Sequence, residues 1–319
     1  MTDVIIISTK PGKPASYYAE ILAKQTVPAG RLIIVRAPGC SAETDGFQAS
    51  QDNIEIVSSR FDAEGYLLTL GVRASSGEDL LFLNEDVLQV PDDLIERLAG
   101  AVSEEMPMAF ARTLPGEACT RIRDAYQAFL NPEEPETRTK NTLFRKGFLQ
   151  FYTGGSAVMI TREALREAGG FEAEIPLDPF SVPAAELFYL GRDLFYAADT
   201  AVVRKPESAS PAAVFHRAFD LAAGMRAYAQ IFGLSWRYAF KDEKRHRHPV
   251  ILMTRAGFYT AKFTFSAKLL LKKGRFWTLP ALLFLMLLEL SGDLFGGIFH
   301  LLPTGLSRYL SGKRSWFSD

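Results

Sequence analysis

The chain has 319 residues, 48% of them hydrophobic and 23% charged, enough apolar content for a large folded core and too much for a disordered or fibrous protein. The formal net charge of −1 is unevenly spread: Lys241 to Asp319 holds 13 Lys and Arg against 5 Asp and Glu, and the rest of the chain 23 against 32. A basic, apolar tail on an acidic body points to an anionic membrane surface and away from nucleic acid, for which the tail is too greasy.

The opening MTDVIIISTK has no basic region followed by a long apolar run and a cleavage site, so a cytosolic protein is expected. Cys40 and Cys119 lie in no CxxC pair and read as ordinary reduced thiols. In chain order, DVIIIST (Asp3 to Thr9) reads as a strand. SYYAEILAKQT then reads as a helix with Tyr17, Ile21 and Leu22 on its apolar face. RLIIVR (Arg31 to Arg36) and NIEIV (Asn53 to Val57) read as strands, Ala63 to Ala74 as a helix, and LLFLNEDV (Leu80 to Val87) as a strand buried on both faces. PDDLIERLAGAV (Pro91 to Val102) follows as a helix with Leu94, Ile95, Leu98 and Val102 inward. This alternation predicts βαβ units and a mostly parallel sheet.

The organising stretch ends in Asn84, Glu85 and Asp86. Carboxylates at the carboxyl end of a central strand face the crevice where open α/β sheets bind ligands, and such oxygen donors suit a hard divalent cation holding a diphosphate. The alternative is a strand turning into solvent through polar residues. Beyond it, NPEEPETRTK (Asn131 to Lys140) reads as a mobile surface loop. FYTGGSAVMITREALREAGGF (Phe151 to Phe171) reads as a strand containing Gly154 and Gly155, a helix starting near Thr161 and a Gly169-Gly170 stop.

The strand ending in Thr9, the strand at Leu32 to Val35, the NED motif followed by Pro91-Asp92, GGSAVMITREAL and GGFE (Gly169 to Glu172) together resemble a family 2 glycosyltransferase of the GT-A fold over roughly two thirds of the chain. VFHRAFDLAAGMRAY (Val214 to Tyr228) and LSGKRSWF near the carboxyl end resemble the rhamnosyltransferase-like subset. The resemblance implies an inverting transfer of a sugar from a nucleotide diphosphate-sugar, with Mg²⁺ or Mn²⁺ on the leaving diphosphate and a carboxylate base on the acceptor hydroxyl. It places Asp86 as metal ligand, Asn84 toward the nucleotide ribose with Glu85 beside it, Thr9 at the donor, and Gly154 to Ser156 along the donor and acceptor pocket. His216 is a candidate additional metal ligand, against the alternative of an ordinary packed histidine. Arg217 is a candidate for diphosphate charge, against that of a solvated arginine.

The chain departs from the family at several points. Arg36 stands where an aspartate usually contacts the nucleobase, so recognition must differ or be supplied by Glu43 or Asp45; Leu68 and Thr69 replace an Arg-Asn pair. The usual base position falls on Ala184, so Glu186 or, from the preceding loop, Asp178 is expected to serve, unless catalysis has been lost. A non-catalytic sugar-nucleotide or glycan binding subunit is therefore the second reading. The lack of a GxGxxG after a strand argues against a dinucleotide enzyme.

From Trp236 the composition changes. KDEKRHRH (Lys241 to His248) is a charge run, and the apolar and basic stretch Val250 to Arg275 precedes FWTLPALLFLMLLEL (Phe276 to Leu290). That run reads as too short to span a bilayer, closed by Glu289 and Asp293, and as lying in the membrane interface with Lys268, Lys272, Lys273 and Arg275 at phosphate level. The alternative is a helical hairpin packed on the first part or on a second copy, so a homodimer stays open. The expected organisation is a GT-A domain over 1–235 and a membrane-associated helical extension over 236–319. The acceptor is expected to be a lipid-linked saccharide at the inner face of the cytoplasmic membrane.

Overall fold

The structure, a computed structural model, describes residues 1–10, 13–40, 53–116, 121–139, 150–171, 178–205, 210–231 and 249–312. The expected opening is present as β1 (Thr2–Ser8), α1 (Ala15–Leu22), β2 (Leu32–Arg36), β3 (Ile54–Ser58), α2 (Glu64–Ala74) and β4 (Asp79–Asn84). β1 pairs in parallel with β2 and β4, and β2 with β3. A short β5 (Val87–Gln89) and α3 (Leu94–Ala101) complete this half. The second half adds β6 (Met108–Pro115), α4 (Arg121–Leu130), β7 (Glu136–Arg138), β8 (Ala157–Thr161), α5 (Arg162–Glu167), α6 (Ser181–Tyr189) and β9 (Leu194–Arg204).

The sheet runs β3-β2-β1-β4-β8-β6-β9-β5, with β7 on β9. β4 lies in its middle, and Leu80 to Leu83 are at most 5% exposed. Alternation sends Leu80 and Phe82 into one core, with Ile5, Ile33 and Leu67, and Leu81 and Leu83 into the other, with Ile6, Ile34 and Leu94. Parallel pairing dominates only the first half. β8 enters antiparallel between β4 and β6, so the sheet is mixed.

Three expectations change locally. In α1 the buried face is Ala15, Tyr18 and Leu22, while Tyr17 is only half-buried against the core and donates its hydroxyl to the Leu88 carbonyl at 2.7 Å. Gly154 and Gly155 are not inside a strand: they precede β8 with φ of 74° and 59°, in the left-handed region that glycine enters freely. The segment expected to be a mobile loop holds β7, and its Asn131 and Arg138 are buried. Glu133 and Glu134 are exposed, but the Arg138 charge is not solvated. The Arg138 guanidinium stacks over the Phe110 ring at 4.5 Å and donates to the Tyr152 carbonyl at 2.5 Å.

The helical part comprises α7 (Pro211–Ile231), α8 (Pro249–Lys272), α9 (Leu279–Gly297) and α10 (Thr304–Leu310). The charge run Lys241 to His248 lies outside the described residues. α9 is longer than the apolar run implies, because Ser291 to Gly297 continues it. Phe276–Gly297, 22 residues, is by length and composition sufficient to cross a membrane. Its acids do not close it. Glu289 accepts from the buried Lys262 ammonium at 2.9 and 3.0 Å, and Asp293 is itself buried.

Close helix contact explains the composition of this segment. A Cβ on Gly292 would sit 2.4 Å from the Phe215 carbonyl, and one on Gly296 2.2 Å from that of Phe219, so α7 and α9 meet backbone to backbone. Gly296→Val is expected to destabilise the protein by about 1–3 kcal/mol through overpacking. Gly257→Ala, where a Cβ meets nothing within 4 Å inside α8, is expected to stabilise it by up to about 1 kcal/mol. Thermal and denaturant midpoints of the two variants check both.

Candidate active site

β1, β4, β6 and β9 run in the same direction, so their carboxyl ends share one edge of the sheet. Ile7 is in register with Asn84, and Pro115 with Arg204. The antiparallel β8 begins at this same edge, and the Asn84 N–H donates to the Ser156 carbonyl at 3.0 Å. That bond joins the NED motif to the glycine turn. On the other side of Asp86, Val87 pairs with Arg204 and the Lys205 N–H donates to the Asp86 carbonyl at 2.8 Å.

Each residue of the NED motif has a distinct role. The Asn84 side-chain carbonyl accepts the Asp86 N–H at 2.9 Å, which closes the turn after β4. Glu85 points back to the end of β1, accepting from the Thr9 N–H at 3.0 Å and from the Thr9 hydroxyl at 2.5 Å. Asp86 is left as the carboxylate facing outward, its side chain 26% exposed with the Lys10 ammonium 3.8 Å away. Among the described residues no three of His, Cys, Asp and Glu come together as a ready-made metal site. One partly exposed carboxylate nevertheless fits a magnesium-like ion, which is commonly held by one or two carboxylates, substrate phosphates and water.

The sequence reading missed Tyr18. Its hydroxyl donates to the Glu85 carbonyl at 3.2 Å, and burial, then the charge of Glu85, pushes its pKa up, so it stays a neutral donor supporting the turn. An aromatic hydroxyl beside an apolar helix face was the only signal available.

The two candidate bases are separated. Asp178 lies beside the glycine turn: a Cβ on Gly155 would sit 3.6 Å from its Oδ1. The same carboxylate accepts the Phe180 N–H at 3.3 Å and lies 3.4 Å from the Thr153 hydroxyl, at the entrance to α6. Glu186 is eight residues on, within α6, where its charge helps to raise the pKa of Tyr189, chiefly a burial effect, to about 12. Ala184, at the usual base position, is fully buried in the core. Leu68 is buried too, and Thr69 spends its hydroxyl on the Gly65 carbonyl at 2.9 Å. Glu43 and Asp45 lie outside the described residues.

His216 and Arg217 sit on α7. The His216 Nδ1 is 2.6 Å from the Leu310 carbonyl; one turn on, Asp220 accepts from the Ser311 hydroxyl at 2.5 Å and from the Gly312 N–H at 3.0 Å. The two late motifs, HRAFD and LSG, thus grip each other. Arg217 is exposed as a residue, yet desolvation of its guanidinium and the like charge of Arg123 lower its pKa, with a further push from Arg204. Tyr152 shares this neighbourhood. Burial and the charge of Asp178 raise its pKa, while Arg204, Arg217 and Arg138 oppose the shift.

No protein-family model matches the chain, and no curated protein is significantly similar to it. Among solved structures, the mannosyltransferase PcManGT from Pyrobaculum calidifontis, in complex with GDP-Man and Mn²⁺, superposes with a TM-score of 0.56 at 14% identity over 94% of this chain and 87% of that one. S. aureus TarS 1–349 gives a TM-score of 0.47 at 11% identity over 94% and 91%. The chain has the GT-A fold. The likeness is one of fold, and the residues above are this chain's own.

The glycine turn gives a direct test of the edge geometry. Gly154→Ala is expected to cost about 1–2 kcal/mol, because an L-residue resists the left-handed region and the new Cβ would lie 3.2 Å from the Thr113 hydroxyl. A lowered denaturant midpoint checks it; an unchanged midpoint would mean that the turn adopts another conformation.

Proposed function

We propose that the protein is an inverting glycosyltransferase that moves a sugar from a nucleotide diphosphate-sugar to a lipid-linked saccharide during polysaccharide assembly. The observation that carries this reading is the outward Asp86 carboxylate at the end of the central strand, tied through Asn84 and Ser156 to the glycine turn that holds Asp178. In this reading Asp86 holds Mg²⁺ or Mn²⁺, and the cation offsets the charge of the departing diphosphate. Asn84, Glu85 and Thr9 shape the donor pocket, and Gly154 and Gly155 let the reacting sugar approach the backbone.

Asp178 is the better placed base, because it alone of the two carboxylates borders the glycine turn. It takes the proton of the acceptor hydroxyl while that oxygen bonds to the anomeric carbon, and the diphosphate leaves from the opposite face. Glu186 is the alternative base. His216, whose Nδ1 faces the Leu310 carbonyl, retains Nε2 for a further ligand role. The contact between the HRAFD and LSG segments is compatible with the rhamnosyltransferase-like subset.

The helical part supports attachment to the inner face of the cytoplasmic membrane. Phe276 and Trp277 are 65% and 64% exposed, and Leu283, Phe284 and Leu287 are exposed along α9. Lys268, Lys272, Lys273 and Arg275 accompany them, an arrangement suited to anionic headgroups over a shallow apolar layer.

A second reading, a non-catalytic sugar-nucleotide binding subunit, is favoured by the buried Ala184 at the usual base position. Calorimetric titration with UDP-, GDP- and dTDP-sugars, with and without Mn²⁺ or Mg²⁺, is expected to give metal-dependent binding of one nucleotide, abolished by Asp86→Ala. Asp178→Asn is expected to lower turnover roughly 10²–10⁴-fold, the usual contribution of a general base, with a smaller effect from Glu186→Gln. Binding that persists without turnover in the unaltered protein supports the second reading. Co-sedimentation with vesicles containing anionic lipid is expected for the full chain and weakened in Phe276→Ser/Trp277→Ser; a wholly soluble chain that ignores such vesicles removes the membrane from the proposal.

A further inference from the structure

The glycine turn is held from the sheet on one side and from a buried arginine on the other. Beyond the turn, the Ser156 carbonyl accepts from the Asn84 N–H and β8 starts at Ala157. Before it, Gln150 to Thr153 belong to no strand. There one terminal nitrogen of the Arg138 guanidinium donates to the Tyr152 carbonyl at 2.5 Å and to the Gln150 carbonyl at 3.3 Å. Both are charge-assisted bonds to the backbone. Two successive glycines at positive φ leave the chain many conformations, so bonds that fix its approach to the turn carry more weight here than beside a stiffer sequence.

The arginine is itself held in place. β6 and β9 pair Phe110 with Tyr196, and the central carbon of the guanidinium lies 4.5 Å and 5.5 Å from the centres of those two rings. β7 pairs Arg138 with Leu194, and the Glu136 carboxylate lies 3.9 Å from the guanidinium. The residue is 4% exposed. Burying a guanidinium carries a desolvation penalty that an apolar side chain of similar volume avoids, so stability by itself does not account for an arginine at this position. What its charge reaches is the backbone leading into the turn. From Tyr152 the contacts continue to the candidate base. The hydroxyl of the buried Thr153 accepts the Gly155 N–H at 3.2 Å and lies 3.4 Å from one oxygen of Asp178, whose other oxygen would sit 3.6 Å from a Cβ on Gly155.

Resting on the assignment of Asp178 as base in the previous subsection, we propose that Arg138 is a positioning residue for that base. The guanidinium clamps the Gln150 and Tyr152 carbonyls, sets Thr153 and the glycine turn in place, and through them holds the Asp178 carboxylate toward the acceptor hydroxyl. The donor end of the site, at Asp86, is held separately by the pairing of β1 with β4 and by the Thr9–Glu85 bonds. Loss of the clamp therefore acts on turnover and spares donor binding.

The test uses the full chain with Arg138→Met, which fills the space without charge, and Arg138→Lys, which keeps the charge and loses the planar fork. Hydrogen exchange at the Gly155 amide reads the turn itself. It is expected to rise roughly tenfold or more in Arg138→Met, the scale of one lost charge-assisted bond, and less in Arg138→Lys. Calorimetry with UDP-glucose, GDP-mannose and dTDP-rhamnose in the presence of Mn²⁺ is expected to give an unchanged Kd. Release of nucleoside diphosphate from the nucleotide-sugar that binds, with water as acceptor, is expected to fall roughly 10²-fold, the scale of a misplaced reacting group. In an Asp178→Asn background the same substitution is expected to add no further loss, because groups acting as a unit do not contribute additively. Where Arg138→Met fails to fold, Arg138→Lys carries the same three readouts. Gly155 exchange that stays unchanged, donor affinity that falls in parallel with turnover, or a loss that adds in full to that of Asp178→Asn overturns the proposal. Failure of every nucleotide-sugar to bind the unaltered protein strikes the glycosyltransferase reading itself, and undiminished turnover in Asp178→Asn strikes the choice of base. In both cases the positioning role falls with it, while the clamp on the turn is still reported by the Gly155 amide.

Discussion

The pairing of β4 with β1 on one side and β8 on the other is the constraint on which the site depends. The parallel ladder brings Thr9 to Glu85, and the antiparallel ladder starts the glycine turn at the height where β4 ends. Because the pairing is fixed by two hydrophobic layers, a slip of one residue would exchange Leu81 and Phe82 between cores. The apolar register thus sets the position of Asp86 as firmly as any polar contact does. The Thr9–Glu85 bonds then turn one carboxylate away and leave its neighbour outward.

The helical part is held to this frame by contacts of a different kind. Lys262 is buried over the Tyr126 ring, 3.4 Å from its centroid, and its ammonium is matched by Glu289. Such a pair adds little net stability over an apolar replacement, since desolvation offsets the attraction, but leaving either member alone is costly. It therefore acts chiefly on alignment, fixing α9 against α8, while Gly292 and Gly296 allow α9 to approach α7. The acids in α9 are inward because of this, while Leu283, Phe284, Leu287, Leu294 and Phe295 are outward.

The first half of the fold was legible in the sequence because its strands are short β-branched runs punctuated by Pro, Gly and polar turns. β6, α4 and β9 were not. β6 (MAFARTLP) and β9 (LFYAADTAVVR) carry alanines and charges that break the strand pattern, and they are strands because they find each other. β7 is an extreme case: Arg138 counts as a loop residue until two aromatic rings are placed over it. At the site, NED could be read from the end of an apolar run, whereas Tyr18 is brought to it by a long-range hydrogen bond to Glu85 that no local pattern records. The HRAFD and LSG segments stood out separately, and only the fold joins them through His216 and Asp220.

The substitutions that set this chain apart from the expected pattern have a common physical sense. Ala184 lies in the hydrophobic core on α6, where an ionised carboxylate would be desolvated at a cost of several kcal/mol. In the proposed reaction the base comes instead from the loop before α6, where the Asp178 carboxylate lies beside Gly155. The Asp178 charge there helps burial to raise the Tyr152 pKa, while the charges of Arg204, Arg217 and Arg138 oppose the shift.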